Sequence, residues 1–436
     1  MTGIEFIGPS GGNVSPEFEA LRASVGAPPP WFDTSALSSH LSQAMWFPAL
    51  FFSSQQHLNA QSGRPFSLWA YYADDPDVIA YCVADEDRHL ATIGAQFVWR
   101  LVKICDRLGE ALSRRPRIGV ARVEQPKLSH DPEFAALLAG DIAVSRDEAV
   151  AIAARWPAPG REGQQLELGP YSLFHDLVRL IWVHEWAHAL TGHVHFASRD
   201  LQLMSLPEIS AERSQLQSAS ADRPPAHEVF QAIELHADEF AVRYCAQQIL
   251  WGYDPIGRMA GPRVDLVDRL LIFNTAFCVF AVLWWIAERR YTPGESFYVK
   301  RTLEDAPEGA PARTFETFTT THPPAALRYL RFRDFERELA AQAGAQYGGS
   351  LSALVDAVSF GFLNEALTDL DEHFGTFLAV TPGLAKTPTM KTLIDYESHL
   401  LRLNEYLEPH LIELGYVPTR DPMADDEAAE GGVADG

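Results

Sequence analysis

The sequence predicts a mainly helical α+β fold with a small sheet and a buried central helix. Three observations carry that expectation. Helix-forming residues with apolar positions at helical spacing cover long stretches, among them 172–191 and 227–250. A single run, Val78-Ile-Ala-Tyr-Cys-Val83, has the β-branched and aromatic character of a strand. The stretch from Leu270 to Ala287 is apolar on every side, as a helix buried all round must be.

Taken in chain order, residues 1–36 hold glycine, serine and Pro28-Pro29-Pro30, the composition of a flexible segment that wraps the surface or remains loose. Helix-like segments follow at 38–58, 88–112 and 172–191, and the proline-, glycine- and charge-rich stretch 113–170 reads as an insertion between them. Helical patterns resume at 227–250, 264–289, 324–343, 351–373 and 390–414. The organisation expected is one catalytic body over 37–345, a helical region over 346–418 packed on it, and an acidic, disordered tail over 419–436. There is no internal repeat and no coiled-coil heptad.

The Leu270–Ala287 run is long enough, at about 27 Å, to cross a bilayer core. It contains Asn274 and Thr275 and is entered from Asp265, Asp268 and Arg269, so a buried helix is the better reading and a membrane partner is not expected. A hydrophobic content of 47% suffices for a substantial core. The net charge of −23 excludes the basic surface that a nucleic-acid partner requires. Cys82, Cys105, Cys245 and Cys278 show no disulfide or metal-ligand spacing, and the first residues form no signal segment. Packing thiols in a reducing cytoplasm are expected.

Residues 184–188 read His-Glu-Trp-Ala-His. On a helix, His184 and His188 lie one above the other and reach one metal ion, with Glu185 directed to the adjoining space. Two imidazoles and one carboxylate leave a fourth zinc position for water, whose pKa falls to about 7. Glu185 is then the base that takes the water proton and hands it to a leaving amine.

For the third ligand the choice is Glu234. It lies on the helical stretch Ala232–Tyr244, which follows the breaker Pro224-Pro225. Asp238, one turn on, is placed to accept the free N–H of a ligand histidine. A different zinc class uses a third histidine ten residues after the first, but that position is Val194, so Gly192, His193 and His195 miss the pattern. His193 and His195 read as structural residues at the helix end, and His236 as facing away from the metal. Trp186 and the Trp284-Trp285 pair read as packing.

A further segment, Thr321-His322-Pro323-Pro324-Ala-Ala-Leu-Arg328, places a histidine at the mouth of a helix and an arginine about one turn into it. Together, the segments resemble the zinc endopeptidases of the gluzincin type that include the CAAX prenyl protease, its bacterial heat-shock relative and, more distantly, the Lit phage-exclusion peptidases. Their pattern is His-Glu-x-x-His with a following Gly-His, then Glu-x-x-x-Asp, then His-Pro with an arginine beyond. This chain carries it as His184, Glu185, His188, Gly192-His193, Glu234, Asp238, His322-Pro323 and Arg328.

The resemblance implies a zincin-like catalytic core, one zinc on His184, His188 and Glu234, catalysis by Glu185, and contacts from His322 and Arg328 to substrate or oxyanion. It implies a protein or peptide substrate and, through the Lit peptidases, a conditional effector such as one of phage defence. The chain departs from the prenyl and heat-shock members in lacking several membrane spans. Its best upstream strand also lies about a hundred residues before the zinc pair, so membrane location and prenylated substrates are not carried over. The alternative is a binding protein with a structural zinc, which normally needs four protein ligands, often cysteines. No cysteine lies near these histidines in sequence.

Overall fold

Strand β2 (Ser67–Ala73) reads Ser-Leu-Trp-Ala-Tyr-Tyr-Ala, and every residue after the first is buried, the pattern of a strand covered on both faces. It runs parallel to β1 (Gly3–Phe6) on one side and to β4 (Arg88–Gly94) on the other. Strand β3 (Ala80–Asp85) is antiparallel to β4 and to the short edge strand β5 (Ser205–Pro207), giving the order β1-β2-β4-β3-β5. This computed structural model describes residues 3–7, 14–31, 67–113 except 77, 131–156, 169–200, 205–207, 224–250, 298–303, 313–318 and 390–416. It also describes scattered positions within 37–45, 269–284 and 322–338.

Within the segment expected to be loose, 1–36, the structure corrects the reading. Its residues form β1 and the helix α1 (Pro16–Ser24), whose start is set by Ser15 accepting from the Phe18 N–H and by proline in the first turn. Phe18 and Leu21 of α1 are fully buried, with the Phe18 ring edge-on to Tyr71 of β2 at 5.3 Å. Residues 88–94, read as the start of a helix, are instead β4. The chain turns directly from it into α2 (Ala95–Ser113) through Gly94, where any side chain would strike the Val78 carbonyl. The stretch 113–170 also holds two short helices, α3 (Pro132–Ala139) and α4 (Arg146–Ala153), capped by Asp131 and Ser145.

At the centre lies α5 (Pro170–Leu190), buried at every residue after its first. Its neighbours are α2 on one side, strands β3 and β4 on another, and α7 (Ala226–Leu250) on a third, which explains why its sequence is apolar nearly all round. The short helix α6 (His193–Asp200) continues from its end.

In the 270–287 run, the described residues 272–277 and 279–281 are helical and Phe273, Asn274, Phe277 and Phe280 are fully buried, so this is a second buried helix beside α5. Arg269, at its start, forks both carboxylate oxygens of the buried Asp176 on α5, with Arg179 adding a contact at 3.2 Å. Among the described residues, no helix is long and apolar enough to cross a membrane.

A separate hairpin, β6 (Tyr298–Leu303) with β7 (Arg313–Phe318), precedes His322 in the chain. The last helix, α8 (Met390–Glu413), lies on α7, where Tyr396 donates to Gln231 Oε1 at 2.6 Å and His399 meets Glu228 at 2.8 Å. The fold is thus mainly helical with a small mixed sheet, as expected. Cys82, Cys105 and Cys245 are buried thiols. Expected elements at 351–373 and the tail 419–436 lie outside the described residues, as does most of 38–58.

Candidate metal centre

Helix α5 begins with proline in its first turn and runs unbroken through the His-Glu-Trp-Ala-His segment. Four-residue spacing stacks His184 and His188, whose ring centroids lie 4.7 Å apart and whose Nε2 atoms are 3.1 Å apart. Helix α7 packs across them and brings Glu234 in, with Oε2 3.0 Å from His184 Nε2 and Oε1 3.6 Å from His188 Nε2. Donors around a tetrahedral zinc at 2.0–2.1 Å would be about 3.3 Å apart, so this spacing suits a metal of that size. His184, His188 and Glu234 are all buried, and their ligand atoms lie within 4.8 Å of one another.

The surrounding charges fit a cation as well. Glu234 and Asp238 bring two buried carboxylates to the site against the one guanidinium of Arg328 that Asp238 accepts from, an excess of negative charge for a cation to offset. Burial disfavours the charged form of His184, but its hydrogen bonds to Asp238 and Glu234 outweigh that and hold its pKa up to about 9. A proton thus occupies this ring when no metal does. Burial drives His188 the other way, down to about 3, leaving a neutral ring ready to donate a lone pair. Burial raises Glu234, yet the adjacent His322, His188 and His184 overcome it and keep its carboxyl well below the usual range.

Asp238 sits where the sequence placed it, with Oδ1 3.1 Å from His184 Nδ1. A ligand ring held from its far nitrogen is fixed in orientation and tautomer. Arg328 in turn donates from Nε and Nη2 to the two oxygens of Asp238, each at 2.6 Å, and its guanidinium lies 4.6 Å from the Phe280 ring. The arginine was expected to face substrate or oxyanion. Its contacts instead make it a buried clamp on Asp238, with 1% of its surface exposed. His322 is also buried, and its Nε2 is 3.3 Å from Glu234 Oε2. The two residues of the His-Pro segment therefore join the cluster from a third chain segment.

Glu185 is fully buried, and its carboxylate adds to burial in pushing up the thiol of Cys82 on β3. The strand anticipated at Val78–Val83 is thus real, displaced to Ala80–Asp85, and it lies beside the metal helix despite the intervening sequence. Sheet pairing carries it there.

Two further histidines are closer to the centre than their sequence suggested. His193 Nδ1 lies 3.1 Å from His188 Nδ1, and His193 Nε2 lies 2.8 Å from His236 Nδ1. The turn at Gly192, with φ +82°, folds the chain back so that His193 meets the helix it has just left. Gly192 was the visible signal for this, being the residue type that ends a helix in a left-handed turn. His195 stays structural, bonded to the Glu86 carbonyl and accepting from the Tyr416 hydroxyl at 2.7 Å. Trp186 and Trp284 are buried in the main core.

Comparison of the chain with protein-family models, with curated proteins and with solved structures finds no match.

Proposed function

We propose that the protein is a zinc-dependent endopeptidase of the gluzincin type, with a zincin-like core and with His184, His188 and Glu234 as metal ligands. The observation that carries the proposal is the convergence of these three donors, one of which, His184, is followed directly in sequence by the buried carboxylate Glu185. When bound there, zinc supplies a polarised, acidified water and a Lewis-acid contact for a carbonyl oxygen.

The chain's own groups do the rest. Glu185 accepts the proton of the attacking water and delivers it to the leaving amine. Asp238 holds His184 from behind, and Arg328 holds Asp238. His322, beside Glu234, would donate to the oxyanion as it develops.

A zinc-stabilised binding protein is the competing reading. It is less favoured because a structural zinc is normally closed by four protein donors, and among the described residues the converging group has three. The test is a comparison of new protein N-termini in cells expressing the wild type or Glu185→Gln. The proposal predicts a set of termini present with wild type and missing with the nearly isosteric variant; identical sets would contradict it.

A further inference from the structure

The two metal-binding histidines are held differently at their outer nitrogens. Nδ1 of His184 meets a carboxylate, Asp238, whereas Nδ1 of His188 meets a second imidazole, that of His193, at 3.1 Å. A neutral ring that gives Nε2 to a metal keeps its one proton on Nδ1. The Nδ1–H of His188 therefore donates to Nδ1 of His193. That commits the proton of His193 to Nε2, which donates to Nδ1 of His236, 2.8 Å away. Three imidazoles in series have one consistent tautomer assignment, and the metal fixes it.

Resting on the metal-centre reading above, we infer that His193 is the positioning residue of His188, the counterpart of Asp238 for His184, and that His236 locks His193 in the tautomer able to accept. The local structure is built for this. His193 is fully buried, its ring centroid 5.2 Å from that of His188 and 5.0 Å from that of His236, which is half-buried. The turn that presents it passes through Gly192, packed so closely against the ring of Tyr416 that no side chain fits there. A positioned ligand binds metal more tightly because its rotation is already restricted before binding, and losing such a partner typically costs 10–100-fold in affinity.

The test is zinc affinity, measured by competition with a chromophoric chelator, alongside circular dichroism of each zinc-free protein. His193→Ala should lose about 10–100-fold, and His193→Leu, which fills the space without an acceptor, should lose as much. His193→Asn places Oδ1 where the ring carried Nδ1 and should stay within about threefold of wild type. His236→Ala should fall between them, and His227→Ala, on the same helix but outside the series, should bind as wild type does. Unchanged affinity in the Ala and Leu variants, or an Asn variant as weak as Ala, would overturn the inference while leaving the metal centre standing. A second zinc per chain that disappears with His193→Ala would overturn it by making His193 a ligand. If the wild type binds no zinc, the metal-centre reading falls and this inference with it.

Discussion

Replacing Arg328 with alanine removes the guanidinium that the structure places on Asp238 and leaves His184 to offset a carboxylate that is itself 2% exposed. Two charge-assisted hydrogen bonds at 2.6 Å are lost, each contributing about 1.5–3 kcal/mol. The contact with the Phe280 ring goes as well, for about 0.5–2 kcal/mol. Broken buried pairs cost about 3–5 kcal/mol, so roughly 4 kcal/mol of stability should disappear from the zinc-free protein, read as a lower urea midpoint. Asp238, no longer held, should position His184 poorly and lower zinc affinity by about 10–100-fold in chelator competition. Arg328→Lys keeps the charge but not the fork, and should fall between. Adding Asp238→Asn to the alanine variant removes the stranded charge and should restore part of the stability, a coupling that a double-mutant cycle resolves. An Arg328→Ala protein within about 1 kcal/mol of wild type, with unchanged zinc affinity, would refute the clamp.

Because the zinc-free site holds a proton on His184 with a pKa of about 9, zinc uptake at pH 8 should release about one proton, and apparent affinity should rise about tenfold per pH unit up to pH 9. By the same raised pKa, the zinc-free fold has this stabilisation in full below pH 6.5 and loses it as the pH climbs through about 9. Titration calorimetry in buffers of different ionisation heat reads the proton count, and none released would show that His184 is not the protonated group. Gly192→Ala should cost about 1–3 kcal/mol, since a side chain at φ +82° is strained and its Cβ meets the Tyr416 ring. Adding Tyr416→Ala relieves the clash but not the backbone strain, so thermal melts should show partial recovery; full recovery would mean that the strain is negligible.

The candidate metal face was legible because helix geometry makes it so. Four-residue spacing on one helix and Glu234 with Asp238 on another fix which side chains can converge, whatever the rest of the chain does. What sequence spacing could not give was direction at longer range. Arg328 lies one turn from a helix mouth in either role, and only the packing of α7 against its segment turned it to Asp238 rather than outward. The Gly192-His193 pair stood out in the sequence, but its link to His236 depends on how α6 folds back over α5 at Gly192 and meets α7.

The sheet was the weaker part of the reading for a related reason. Strand β4 runs without a break into α2, so the apolar stretch read as one helix, and the parallel pairing of β1 with β2 joins residues far apart in sequence. Local patterns have no access to such pairings. Strand β1 is also short and sits among glycines and prolines, where composition points to a loop.

The most direct test of the metal centre is elemental analysis of dialysed protein. Wild type and Glu185→Gln should each carry about one zinc per chain, while His184→Ala, His188→Ala and Glu234→Ala should carry almost none, because two remaining ligands do not hold the ion as three do. Wild type without zinc, or zinc retained in full by the histidine variants, would contradict the assignment of His184, His188 and Glu234 as its ligands.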